Sequence, residues 1–134
     1  MGKLVLFVSA LFFIIFLTGC KNDVPNAVPK IIITKPYENV NSHHYNVQTH
    51  TFDFSVYDAD GLSEISYSIS GGPSVVFFQQ QENIGGNKEF SKKTTFKVDS
   101  VYGKSPMKCS ASVTATDTKG ATYTQVSEFK IYKK

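Results

Sequence analysis

The sequence predicts an all-β fold, a sandwich of about seven antiparallel strands that follows a cleaved signal peptide. Threonine, serine, valine, tyrosine and phenylalanine are abundant, which favours strands. From residue 30 onward apolar and polar side chains alternate in short runs, and no helical period of useful length occurs. Clusters of glycine, proline and aspartate separate these runs, as tight turns between antiparallel strands require.

Length and charge limit the possible functions. The 134 residues have room for one domain. All 14 basic residues are lysines, so the chain lacks the planar guanidinium groups that read guanine edges and phosphates bidentately. We therefore expect no nucleic-acid partner. The net charge of only +3 likewise predicts no polyanion partner.

The first segment is an apolar run over residues 4–17, interrupted only by Ser9. As a helix it would span about 21 Å, which is short of the roughly 30 Å hydrocarbon core of a bilayer. The small residues Thr18 and Gly19 follow, just before Cys20. This arrangement predicts a signal peptide over residues 1–19 rather than a permanent membrane span.

The run Leu17-Thr18-Gly19-Cys20 resembles the lipobox of bacterial lipoproteins. The resemblance implies cleavage before Cys20 and lipid attachment through acyl chains on its thiol, which would hold the protein at a membrane. Lys21, not aspartate, follows the cysteine, which by the same resemblance points to the outer membrane and leaves its two faces open. The alternative is an ordinary secretory signal or an uncleaved anchor, with Cys20 incidental.

We expect residues 20–29 to form the lipidated N-terminus and a tether, because residues 21–29 carry two prolines and no periodic apolar pattern. Nine extended residues reach at most about 30 Å, which would keep the folded domain near its membrane.

The strands follow from alternation and turn residues. The first, KIIIT, ends at Pro36, and the second, TFDFSVY, alternates cleanly. The turn DADG, residues 58–61, leads into EISYSI, and SGGP turns the chain again. In CSASVTAT, every second residue is small or apolar, and DTKG then forms a hairpin. The predicted strands cover residues 30–34, 51–57, 64–69, 75–79, 94–99, 108–116 and 122–132.

The runs PKIIITKP, FSVYDADGLSEISYSI and SVTATDTKGATYTQVSEFKI resemble bacterial immunoglobulin-like domains of envelope proteins. The resemblance implies an immunoglobulin-like β-sandwich over residues 30–134, whose length suits that fold. Cys109 stands where antibody-type immunoglobulin domains have the sixth-strand cysteine, but the second strand offers only Phe54. With Cys20 lipidated, Cys109 is an unpaired thiol, and we expect an inert core residue rather than a reactive one.

Two clusters have metal-ligand chemistry. Asp58, Asp60 and Glu64 surround the DADG turn and offer oxygen ligands for calcium, although aspartate and glycine also simply form turns. Histidines at 43, 44 and 50 could bind zinc. Adjacent histidines point opposite ways on an extended chain, so we expect a solvated loop there.

The run Val75-Val76-Phe77-Phe78 conflicts with alternation, because successive side chains of a strand face opposite sides of a sheet. Two large residues should then point outward, so that Phe77 or Phe78 meets a partner at an edge strand. Alternatively, a loop over residues 79–93 folds back over them.

No catalytic motif occurs, so we expect a non-enzyme. The sequence therefore predicts a lipid-anchored binding or structural module that engages a protein or glycan at the outer membrane. Two alternatives stay open. One is an inhibitor or immunity-type lipoprotein that blocks a hydrolase with the 79–93 loop. The other is an adhesion module stabilised by calcium, and we expect no other cofactor.

Overall fold

The structure, a computed structural model, describes residues 25–37 and 44–134, and within them the protein is all-β. None of these residues lies in a helix, and none therefore in a helix able to cross a membrane. The leader and Cys20 lie outside the described residues. The described strands are β1 (Lys30–Lys35), β2 (His44–Tyr45), β3 (Thr49–Tyr57), β4 (Leu62–Gly71), β5 (Val75–Asn83), β6 (Glu89–Lys97), β7 (Met107–Asp117) and β8 (Thr122–Tyr132).

The strands form two sheets. The first has the order β1-β3-β6, and the second has the order β2-β8-β7-β4-β5. All neighbours are antiparallel except the two-residue β2, which runs parallel to β8. Because β5 and β6 belong to different sheets, the connection over residues 84–88 crosses from one sheet to the other.

One hydrophobic core lies between the sheets. The predicted alternation is confirmed on β3, β4 and β7, where every second side chain is buried: Phe52, Phe54, Val56, Ile65, Tyr67, Ile69, Cys109, Ala111, Val113 and Ala115. Fully burying one large apolar side chain stabilises a fold by about 1.5–3 kcal/mol, so this shared core is what holds the sheets together.

The 79–93 loop predicted from sequence is wrong. Residues 79–83 continue β5, and residues 89–93 begin β6, so the connection is only 84–88. The sequence pattern failed there because Gln80 and Glu82 occupy inward positions at the edge of the sheet. The Tyr67 hydroxyl oxygen lies 2.6 Å from Oε1 of each, within hydrogen-bond distance, so polar side chains occupy positions where alternation predicts apolar ones.

A β-bulge resolves the conflict in the VVFF run. Ile69 pairs with Phe78 and Ser70 pairs with Val76, which leaves Phe77 without a register partner. Phe77 and Phe78 therefore both pack against the core, and Val76, 56% exposed, is the outward residue. The expectation that two large residues point outward is corrected: one does, because the extra residue shifts the alternation by one position.

The DADG turn depends on Gly61. Its φ of +93° lies in the region that favours glycine, and a Cβ there would collide with the carbonyl oxygen of Gly86. The two loops approach closely because Gly86 N–H donates to Leu62 O and Leu62 N–H donates to Asn87 O, each at 2.8 Å. Gly120 has nearly the same φ, +91°, but no atom lies within 4 Å of its Cβ position.

We therefore predict that Gly61→Ala lowers the free energy of unfolding by clearly more than Gly120→Ala. The positive φ costs either alanine about 1–2 kcal/mol, and only Gly61→Ala must also push the 84–88 loop away. Urea unfolding of both variants measures the difference. Equal losses for the two variants would show that the close approach of the loops is unimportant for stability.

Candidate functional site

Three turns meet at one end of the domain, which we call the tether end because the N-terminal segment joins it there. They are joined by backbone bonds: Thr118 N–H donates to Gly61 O, and Asp58 N–H donates to Lys88 O. The tether end comprises residues 26–30, 57–62, 84–89 and 117–121.

Three carboxylates converge at this end. One oxygen from each of Asp58, Asp60 and Asp117 lies within 4.8 Å of the others, and Asp58 and Asp117 are buried. The sequence suggested Glu64 as the third ligand, but Glu64 is not part of this group. It lies on β4, between Asn83 of β5 and Thr116 of β7. Asp117 was missed because it is far away in the chain, and its DTKG run was interpreted only as a hairpin turn.

The carboxylates have partners within the described structure. Asp58 Oδ1 accepts from the N–H of Asp60, and Asp117 Oδ1 accepts from the N–H groups of Lys119 and Ala121, all at 2.8 Å. The Lys119 ammonium donates to Asp60 Oδ1, also at 2.8 Å. Burial opposes ionisation of Asp117, but hydrogen bonds from Asn26 and from backbone N–H groups lower the pKa of its carboxyl below the ordinary value.

Asn26 contacts the cluster through its amide nitrogen. Its Nδ2 donates to Asp117 Oδ2 at 2.7 Å, while its Oδ1 is buried and has no partner among the described residues. Carboxylate and amide oxygens are the ligands that calcium prefers. The carboxylate oxygens of Asp58, Asp60 and Asp117 can thus bind a hard cation. The Lys119 ammonium forms an ion pair with Asp60 and would compete with that cation.

The histidines lie at the opposite end. His43 is outside the described residues; His44 and His50 contact each other edge to face, with ring centroids 5.4 Å apart. Each points a ring nitrogen at a backbone carbonyl, His44 at Tyr37 O and His50 at Tyr45 O. The pKa of His50 is lowered, mainly because the ring is buried and also because His44 is nearby. The hydrogen bond to the Tyr45 carbonyl raises this pKa but does not outweigh burial. These contacts hold the short β2 strand against the core.

Cys109 is a free thiol that is 4% exposed. Burial raises the pKa of this thiol to about 11, so little thiolate is present at neutral pH. The thiolate is the nucleophilic form, and these observations fit the expectation of an inert core residue.

A polar network connects the two sheets where β5 of one lies near β6 of the other. Tyr67, on β4, donates its hydroxyl to Glu82, and Lys92 on β6 donates to the same carboxylate at 2.8 Å. Burial and the hydrogen bond to Glu82 raise the pKa of Tyr67 to about 12. The network links β5 and β6, and no sequence signal indicated it, since its members come from three strands.

The free edge of β5 differs from the other sheet edges. Among the described residues β5 has β4 on one side and no strand on the other. β2 has two residues, β1 begins and ends with a lysine, and β6 contains three lysines. β5 has nine residues, no lysine and no proline, and its one charged residue is Glu82. Lysine, proline and shortness are the features that normally discourage strand pairing at an edge.

No protein-family model matches the sequence, and no curated protein matches it.

Proposed function

We propose that this protein is a lipid-anchored, non-catalytic binding module of the bacterial outer membrane, and that it engages a partner protein through β5. The anchor is Cys20, within the lipobox-like run LTGC. Lipid attachment would place the domain at the cell envelope, on either face of the outer membrane.

The strand order supports an immunoglobulin-like sandwich for this module. In constant-type members of that family the first, second, fifth and fourth strands share one sheet, and the seventh, sixth and third share the other. With β2 set aside as a two-residue addition, the orders β1-β3-β6 and β8-β7-β4 follow this plan. β5, the fourth principal strand, departs from it and lies next to β4 in the second sheet, where variable-type members carry an added strand.

The observation that carries the proposal is the unprotected edge of β5. Backbone N–H and C=O groups along such an edge can pair with an extended segment of another protein, which adds a strand to the sheet. Gln79 and Gln81 face outward beside that edge, because their cross-strand partners flank the inward-facing Tyr67. A hydrolase inhibitor acting through a long 79–93 loop is less well supported, since most of those residues lie in strands.

The tether orients the domain. Because Asn26 is hydrogen-bonded to Asp117, only residues 21–25 separate it from Cys20. Six residue steps reach about 20 Å when fully extended. A lipid on Cys20 would therefore keep the tether end next to the bilayer and direct the His44 and His50 end away from it.

We predict that the full chain incorporates radiolabelled fatty acid in bacterial cells and that Cys20→Ala abolishes the incorporation. The cysteine thiol is the attachment atom, so no other residue can replace it. Cys109→Ala serves as the matched control and should label fully. Label that persists in Cys20→Ala would rule out the proposed anchor.

We predict that Gln79→Lys combined with Gln81→Lys lowers photo-crosslinking of the β5 edge to its envelope partner at least tenfold. Two added charges on an edge strand disfavour the pairing of another strand. The matched control is Ser91→Lys with Thr95→Lys on β6, which adds the same charge to exposed positions of the other sheet. Both variants should keep the melting temperature of the parent chain.

Loss of crosslinking in the β6 control as well would indicate a general charge effect and contradict an edge-specific partner. Unchanged crosslinking in the β5 variant would contradict it directly.

Calcium stabilisation is a second candidate, favoured by the convergence of one carboxylate oxygen from each of Asp58, Asp60 and Asp117. We predict that millimolar calcium raises the melting temperature and that a chelator reverses the rise. Asp60→Asn should remove the response, whereas Asp99→Asn at the other end should keep it. Lys119→Gln should enlarge the response, because its ammonium no longer competes for Asp60.

No calcium shift in either the parent chain or Lys119→Gln would exclude a calcium site at this cluster.

A further inference from the structure

Lysines concentrate at the end of the domain opposite the tether. We call this the basic end, and it comprises residues 35–37, 44–50, 71–75, 97–108 and 130–134. These segments are joined by short bonds: Val47 N–H donates to Val98 O at 3.0 Å, and Lys134 N–H donates to Asn46 Oδ1 at 2.8 Å. The basic end has one acidic side chain, Asp99, and seven lysines: Lys35, Lys97, Lys104, Lys108, Lys130, Lys133 and Lys134.

Among the described residues the charge is therefore strongly polarised. Seven lysines and one aspartate give the basic end a net side-chain charge of +6. The described residues outside it carry five lysines against eight acids, a net charge of −3. The overall charge of +3 conceals this separation, and the expectation of no polyanion partner rested on that total. A local field of one sign raises the concentration of oppositely charged ligands at its surface.

Between the lysines lie groups that suit sugar rings. Tyr37 is 47% exposed and Tyr102 is 43% exposed, so each offers an apolar ring face with a polar hydroxyl. Beside Tyr37 lies an open cleft of about 270 Å³, lined by Lys35, Pro36, Tyr37, His44, Thr49, His50 and Thr51. Its lining combines one ammonium group with hydroxyl and imidazole groups, which can form hydrogen bonds to sugar hydroxyls.

We propose that the basic end binds an anionic polysaccharide. Its lysines come from β1, β6, β7, β8, the 98–106 loop and the two residues after β8, so no single small anion touches them all, whereas a polymer with repeated charges does. Nucleic acid fits less well, because lysine lacks the planar fork of arginine for bases and phosphates. An acidic protein would bind the lysines, but it would not explain the cleft and exposed tyrosines, which suit sugar rings. Access to this end in cells rests on the proposed anchor; the charge separation does not.

The test measures binding of the full chain, purified in neutral detergent, to immobilised polygalacturonate. Neutral dextran, polyglutamate and oligothymidylate serve as comparison ligands. We expect polygalacturonate to be bound at least tenfold more tightly than each of the other three, with affinity that falls as salt is added. Because the measurement is made in solution, its failure is distinguishable from failure of Cys20 acylation.

Matched lysine variants locate the surface. Lys104→Gln, Lys108→Gln and Lys133→Gln together should weaken polygalacturonate binding at least tenfold. Lys30→Gln, Lys88→Gln and Lys93→Gln remove the same charge from exposed positions elsewhere and should change it less than twofold. The proposal is overturned if polygalacturonate does not bind, if both triple variants weaken binding equally, or if polyglutamate or oligothymidylate binds as tightly.

Discussion

The contact between Phe52 and Phe54 on β3 and Tyr67 on β4 joins the two sheets, and the rest of the structure depends on it. Tyr67 lies with its ring centroid 4.9 Å from that of Phe54 and 5.9 Å from that of Phe52. All three side chains are almost completely buried. Aromatic pairs at such distances add about 0.5–1.5 kcal/mol beyond their buried area. Two sheets with wet outer faces have no other way to bury their apolar sides.

The same tyrosine determines how the open side of the domain is built. Its ring belongs to the core, while its hydroxyl reaches Gln80 and Glu82 on β5. Glu82 in turn holds Lys92 on β6, so the edge strands of both sheets are tied to one core residue. The inward-facing polar side chains of β5 therefore have hydrogen-bond partners, while the backbone along its outer edge pairs with no described strand. For that reason we expect β5 to bind a partner.

The two ends of the domain can act independently. β7 has 11 residues, and at about 3.4 Å per residue the ends lie roughly 35 Å apart. Screening between exposed charges becomes strong beyond about 8–10 Å at physiological ionic strength. The carboxylate cluster beside the tether and the lysines at the basic end therefore do not neutralise each other, and each can serve a different ligand.

The sequence by itself determined the fold class and the inward faces of β3, β4 and β7, because strand alternation and turn residues are local properties of the chain. It also indicated the DADG turn and the unusual VVFF run as sites of interest. Only the tertiary structure decided what those features do. Whether Phe77 points inward depends on one register shift relative to β4, and Asp117 joins Asp58 only when β7 lies beside β4.

The charge pattern likewise could not be predicted from the sequence alone. The net charge counted from the sequence is small, and a net charge does not depend on where the charged residues lie. The lysines of the basic end are separated by up to 99 positions in sequence, from Lys35 to Lys134, and become neighbours because antiparallel strands return repeatedly to the same end. Local patterns therefore predicted the strands, whereas sites formed by residues from several strands required the three-dimensional fold.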